Sequence, residues 1–361
     1  MSRYERANIR NMSGYAPGEQ PKGGRIIKLN TNENPYPPNE AVMQALRNVD
    51  PKSLRKYPNP TAEGFREVAA GAHGVTPDNV IATNGGDELL RLAITTFVEP
   101  KQPIGTADPS YSLYPVLADI HDSPTVSVSL TSDWQLPADF ATKMNDQNVG
   151  VTFVVNPHAP TGILRNVNQL ARLAEQLNGI LVVDEAYVDF VDPDLHHDTT
   201  GLIRDFDNVL ILRTLSKGYS LAGLRFGYGL GSTTVIEPMQ WKTKDSYNTD
   251  ALSQALATAA LENREQAAQT WQSVRNERTR VAAELAGLGI ESLPSQSNFV
   301  LATIPASYAG GAKAVYETLK SNGILVRYFN QDRLTDKVRI TIGTPQENDA
   351  LISELKACMN E

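Results

Sequence analysis

Between residues 79 and 231 the chain alternates short, almost unbroken apolar runs with amphipathic stretches, and this rhythm constrains the fold more than any other feature. The runs "NVIATN" (79–84), "PIGTAD", "TVSVSL", "GVTFVVN" (150–156), "ILVVDEA" (180–186), "NVLILRTLS" (208–216) and "LRFGYGL" read as strands. "GDELLRLAITTFV", "SYSLYPVLADI" and "NQLARLAEQLNG" read as helices between them. Runs without polar alternation belong to strands covered on both faces, so the pattern predicts an α/β domain with a mostly parallel sheet sandwiched by helices.

The flanks differ. The first thirty or so residues are polar, rich in Gly and Pro and aperiodic, and read as an arm. A helix follows over Ala41, Val42, Ala45 and Leu46, and another over Phe65, Val68 and Ala69 with Thr61 as its expected cap. Beyond about residue 245 a long helical stretch leads to strands in "NFVLATIP", "ILVRYF" and "KVRITIGT" and helices in "AKAVYETLKSNG" and "NDALISELKACM". The expected organisation is an arm and small-domain segment over 1–40, a large ligand-binding domain over 41–245, and a linking helix with a smaller α/β C-terminal domain over 246–361.

The bulk properties exclude several classes. A net charge of −8 argues against a nucleic-acid binder, whose surface carries a basic stripe. The one cysteine, Cys358, cannot form an intrachain disulfide and fits a reducing compartment. The N-terminus carries no apolar signal segment, and no apolar run approaches the roughly 20 residues of a membrane span. The expectation is a cytoplasmic protein that binds neither membrane nor nucleic acid, and no metal site is expected.

The chemistry gathers at strand ends, where open parallel sheets bind ligands. "NVIATN" runs into Gly85-Gly86-Asp87-Glu88 and a helix, a turn whose bare N–H groups can face an anion, although such a turn also serves any strand-to-helix connection. Neither GxGxxG nor GxxxxGK[ST] occurs. Three further runs end in Asn156, Asp184 and Lys217. Singly, Asp184 reads equally as a helix cap and Lys217 as a surface loop residue. Together, a lysine to bond an aldehyde, a carboxylate to hold a ring nitrogen protonated and a helix N-terminus for a phosphate meet the needs of pyridoxal 5'-phosphate.

Over nearly its whole length the chain also resembles the fold-type I pyridoxal-phosphate aminotransferases, and within them the histidinol-phosphate aminotransferase subgroup. The motifs are "LNTNENPYPP", "YPNP", "NGGDELL", "NPHAPTG", "VVDEAYVDF", "TLSKGYSLAGLRFGY" and "VRITIGT". The resemblance implies Lys217 as the lysine that bonds the cofactor and then moves the proton, and Asp184 as partner of the ring nitrogen. It implies Asn156 and Tyr187 as donors to the phenolic oxygen, and Tyr111 as the aromatic stacked on the ring. It assigns Gly86, Asp87, Ser216 and Arg225 to the phosphate, with Thr214 beside them. It places Tyr57 on the phosphate of a neighbouring subunit, and so implies a homodimer. The family motif is closer to NPNNPTG; here His158 and Ala159 follow Asn156-Pro157, and His158 is expected to be a loop residue.

For substrates, the resemblance implies an amino donor with 2-oxoglutarate as acceptor. Arg339 and Asn156 are expected at the substrate, Arg327 at a substrate phosphate, and Tyr15 of the arm closing over it. The leading expectation is transamination of L-histidinol phosphate. An aromatic amino-acid aminotransferase on the same scaffold stands second, and a decarboxylase of the same fold or a cofactor-binding protein without turnover third.

Overall fold

In β1 (Ile27–Lys28) the chain makes its first strand, only two residues long, in the segment expected to be an arm. The computed structural model describes residues 3–16, 18–20 and 26–360; residues 21–25 of the expected arm lie outside them. Two helices follow, Glu40–Arg47 and Glu63–His73. The second is not capped by Thr61: its N-cap position is Ala62 in a left-handed conformation, and Asn59 Oδ1 accepts from both the Thr61 and the Glu63 N–H groups. The longer asparagine side chain reaches forward across the turn to these groups, and the Thr61 hydroxyl itself donates to the same oxygen at 3.0 Å.

The central sheet contains β2 (Val80–Thr83), β3 (Ile104–Asp108), β4 (Thr125–Ser129), β5 (Val151–Val155), β6 (Ile180–Asp184), β7 (Val209–Thr214) and β8 (Gly227–Gly231), ordered 2-8-7-6-5-3-4. β2, β5 and β7 are buried along their whole length, as apolar runs without alternation require. β8 is the antiparallel member, paired with both β7 and β2. Parallel neighbours need a crossover, and the chain returns from β7 to β8 through a loop with one short helical turn, Ala222–Leu224.

The C-terminal part adds β9 (Glu291–Ser292), β10 (Phe299–Thr303), β11 (Ile324–Leu325), β12 (Arg327–Tyr328) and β13 (Lys337–Thr341). Four of these form an antiparallel sheet ordered 12-13-10-9, while β11 pairs in parallel with β1. The helix Arg264–Gly287 packs against β9 and β10 and against the turn Val188–Phe190 that follows β6. It therefore ties the two sheets together. Among the described residues no helix is long and apolar enough to cross a membrane.

Candidate active site

The strand order reverses its direction of growth between β3 and β5, which opens a crevice beyond their carboxyl ends. A cavity of about 620 Å³ lies there, walled by strand ends of the central sheet, the arm, the loop after β1 and the β12–β13 edge of the small sheet.

Asp184, the last residue of β6, lies in its floor, 4% exposed. Its Oδ2 accepts from the Tyr114 hydroxyl at 2.8 Å and its Oδ1 from the Ala186 N–H at 3.1 Å. Burial outweighs these donors and pushes its pKa up to about 6, since no cation pairs with it among the described residues. Lys217 follows β7 and donates from Nζ to the Thr31 carbonyl at 2.9 Å. Burial, with Arg339, Arg225 and Lys28 against Glu33, lowers its pKa to about 8. Tyr187 lines the same wall; its ring stands edge-on to Phe299 at 5.1 Å, and its hydroxyl oxygen accepts from Asn32 Nδ2 at 3.0 Å.

One end of the cavity is built for an anion. The helix Gly85–Phe97 begins there with Gly86 and Asp87 in the wall, so N–H groups and the positive end of the dipole face inward. Gly85 has φ 74°, and a Cβ on it would lie 2.6 Å from Arg225 Nη2. The glycine is what lets the guanidinium lie against the turn. Arg225, itself left-handed at φ 57°, reaches Ser216 Oγ at 3.5 Å and Asp87 Oδ2 at 3.4 Å. Thr214 donates to Ser216 Oγ at 2.9 Å, and both line the cavity.

Tyr111 lines the cavity after β3, with Tyr15 of the arm edge-on to it at 6.1 Å. At the opposite end, Arg327 and Arg339 are direct cross-strand partners on β12 and β13. Arg339 donates to the Asn30 carbonyl at 3.0 Å and leaves Nε buried without a partner. Its guanidinium lies 5.5 Å from the Phe329 ring, and that of Arg327 5.6 Å from the same ring.

Two expected residues are not brought to the cavity. Asn156 is fully buried and its carboxamide is held by one backbone unit: Oδ1 accepts from the Arg165 N–H at 2.7 Å, and Nδ2 donates one proton to the Arg165 carbonyl at 3.1 Å, with His197 Nε2 3.5 Å from the same nitrogen. It pins the 157–164 loop, and the wall after β5 is made by Ala159 and Pro160 instead. Tyr57 is 81% exposed, stacked on Tyr247 at 4.5 Å, and does not line the cavity. His158 is a loop residue as expected: Nε2 donates to the Pro109 carbonyl at 3.0 Å and Nδ1 accepts from Thr161 Oγ1 at 2.8 Å. Burial lowers its pKa to about 3, so it stays neutral in this role.

Sequence reasoning passed over Tyr114 and Asn32. Tyr114 sits in the first turn of the helix Leu113–His121, three residues beyond Tyr111, and the two rings stand edge to face at 5.5 Å. Asn32 lies within the motif "LNTNENPYPP", but its role is not legible there, because its partners Thr341 and Tyr187 are remote in sequence.

Fold and site together define a doubly wound α/β protein whose cavity pairs an anion cradle, at a helix N-terminus with Ser216 and Arg225, with a lysine of lowered pKa. The class I and II aminotransferase model matches residues 24–355, and the chain belongs to that family. It is 39% identical over 357 residues to histidinol-phosphate aminotransferase 1 of Trichormus variabilis, covering 99% of both chains. It is 41% identical over 347 residues to histidinol-phosphate aminotransferase of Synechocystis sp., covering 96% of both. The fold is similar to the crystal structure of histidinol-phosphate aminotransferase from Sinorhizobium meliloti in complex with pyridoxal-5'-phosphate, with a TM-score of 0.89 at 24% identity over 100% of this chain and 98% of that one.

The donor set of the cavity fits that group. Asp184 is a buried carboxylate with no cation partner among the described residues, the Gly85 turn leaves a cradle a Cβ would fill, and the part-buried Lys217 lines the same cavity.

Proposed function

We propose that the protein is a pyridoxal-phosphate-dependent aminotransferase that takes the amino group of L-histidinol phosphate and passes it to 2-oxoglutarate. Bound in the cavity, pyridoxal phosphate supplies an aldehyde that accepts the amino group and a ring that delocalises the electron pair left on the substrate carbon. Lys217 is the amine that would hold the cofactor and carry the substrate proton; a pKa near 8 leaves part of its amine unprotonated at neutral pH, ready for that role. Asp184 would pair with the ring nitrogen, Tyr111 would pack on the ring, and Tyr187 would donate to the phenolic oxygen; all three line the cavity. The Gly86 and Asp87 backbone, Ser216 and Arg225 hold the phosphate, with Thr214 orienting Ser216.

The observation that carries the substrate reading is the Arg327–Arg339 pair, cross-strand partners whose guanidiniums both lie within 5.6 Å of the Phe329 ring at the cavity wall. A phosphate dianion can engage both. Tyr15 belongs over that substrate, and the full-length relatives bear the same activity in their names. The test is steady-state transamination from L-histidinol phosphate, L-tyrosine and L-phenylalanine to 2-oxoglutarate. The reading requires kcat/KM to favour histidinol phosphate; preference for the aromatic acids makes this an aromatic aminotransferase.

The same reading makes the protein a cytoplasmic homodimer of two-domain protomers divided at about 41–245 and 246–361, with 1–40 joined to the small domain. The β1–β11 pairing supports that last assignment. Exposed Leu54, Tyr57, Trp241 and Tyr247 support a second copy, with Tyr57 reaching that copy's phosphate site.

A further inference from the structure

Asn32 lies in the loop after β1, 1% exposed, with a left-handed backbone at φ 56°. Asparagine tolerates that region better than most residues, and here the conformation is held from several sides. The Asn32 N–H donates to Thr341 Oγ1 at 3.0 Å, the Thr341 hydroxyl donates back to Asn32 Oδ1 at 3.0 Å, and the Asn32 carbonyl accepts from Asn298 Nδ2 at 3.0 Å. The remaining group, Nδ2, donates to the Tyr187 hydroxyl oxygen at 3.0 Å.

Proton counting fixes the direction of that last bond. With the carboxamide turned over, Thr341 would receive two donors while its own proton, in a site only 2% exposed, would have no acceptor. With Nδ2 as donor, the Tyr187 oxygen is an acceptor toward Asn32 and its proton is available to the cavity it lines. Asn156, expected as the companion donor, is held by the Arg165 backbone and is not among the residues lining the cavity, where Ala159 contributes a methyl group.

We propose that Asn32, held by Thr341, is a positioning residue that commits the Tyr187 hydroxyl as a donor to the phenolic oxygen of a bound pyridoxal ring. The proposal rests on the pyridoxal-phosphate reading above. A proton donated at that oxygen stabilises its anionic form, so the adjoining nitrogen contributed by Lys217 gives up its own proton at lower pH. Tyr187 is also faced by Arg339 from β13, Asp184 from β6 and Tyr15 from the arm, and Lys217 by Arg339, Arg225, Glu33 and Lys28. All of these stay in place in the variants below.

The experiment is a pH titration of the visible absorption band of the holoenzyme reconstituted with pyridoxal phosphate. Tyr187→Phe raises the midpoint by about one unit, the order expected when a hydrogen bond to the charged form is lost. Asn32→Ala raises it by a smaller amount, and in a Tyr187→Phe background adds nothing. Thr341→Val moves it in the same direction, whereas Thr341→Ser, which keeps the hydroxyl, does not; this pair carries the test if Asn32→Ala fails to fold. An Asn32→Ala shift equal in both backgrounds, or none where Tyr187→Phe shifts, overturns the proposal. A wild-type protein that develops no band overturns the cofactor reading beneath it, and the proposal with it.

Discussion

Arg327 and Arg339 stand directly opposite each other on adjacent antiparallel strands, and neither forms an ion pair among the described residues. Like charges in that position repel. Arg339 shows the strain: burial, with Arg327 contributing, lowers its pKa. The pair makes sense as a site that an anion completes. Arg327→Ala is expected to raise KM for L-histidinol phosphate by about 10–100-fold, because hydrogen bonds to charged groups contribute roughly 1.5–3 kcal/mol. KM for L-tyrosine and L-phenylalanine should change little, and kinetics with all three donors check this.

Asp184 gives a prediction for the apoprotein. Its pKa is raised to about 6 from 3.8, so the folded chain holds this proton more tightly than the unfolded chain does. The associated stability is present below about pH 4 and is lost as pH rises through 6. Asp184→Asn should therefore raise the thermal midpoint of the apoprotein at pH 7 while nearly abolishing transamination. Calorimetry at pH 4 and pH 7 reads the first effect, which should shrink at the lower pH.

Gly85 gives another. An alanine there takes on a left-handed backbone, at about 1–2 kcal/mol, and its Cβ displaces the Arg225 guanidinium. Gly85→Ala is expected to lower stability by that order and to weaken cofactor affinity. Equilibrium dialysis against pyridoxal phosphate measures the affinity.

The arm is anchored at both ends of its crossing. Arg6 and Asn8 donate to the Ile120 and Asp119 carbonyls, and Glu19 pairs with Lys320 at 3.0 Å. Between them Tyr15 meets the cavity. Deleting residues 1–16 should raise KM for the phosphate-bearing donor with little change in thermal midpoint, since the anchoring groups are exposed. A large loss of stability would instead make the arm part of the core.

Much of this was legible in the sequence because the buried strands are spelled as apolar runs that stop where the chemistry begins. Asp184 and Lys217 are visible for that reason: each is a charge following a stretch that can only be core. Asn156 obeys the same rule yet does not line the cavity, since a strand end fixes where a residue stands while its carboxamide is held by the remote Arg165 backbone. The antiparallel direction of β8 and the donor role of Asn32 depend on contacts across long separations, which periodicity does not encode.

The most direct test of the central claim is a single-turnover reaction of the pyridoxal-phosphate holoenzyme, followed by the loss of its visible band on adding L-histidinol phosphate, L-tyrosine, L-phenylalanine or L-glutamate separately. The account predicts rapid conversion by histidinol phosphate and by glutamate, the two amino compounds of the proposed exchange, with the aromatic acids far slower. Conversion by tyrosine or phenylalanine as fast as by histidinol phosphate would contradict it, and would return Arg327 to a structural role.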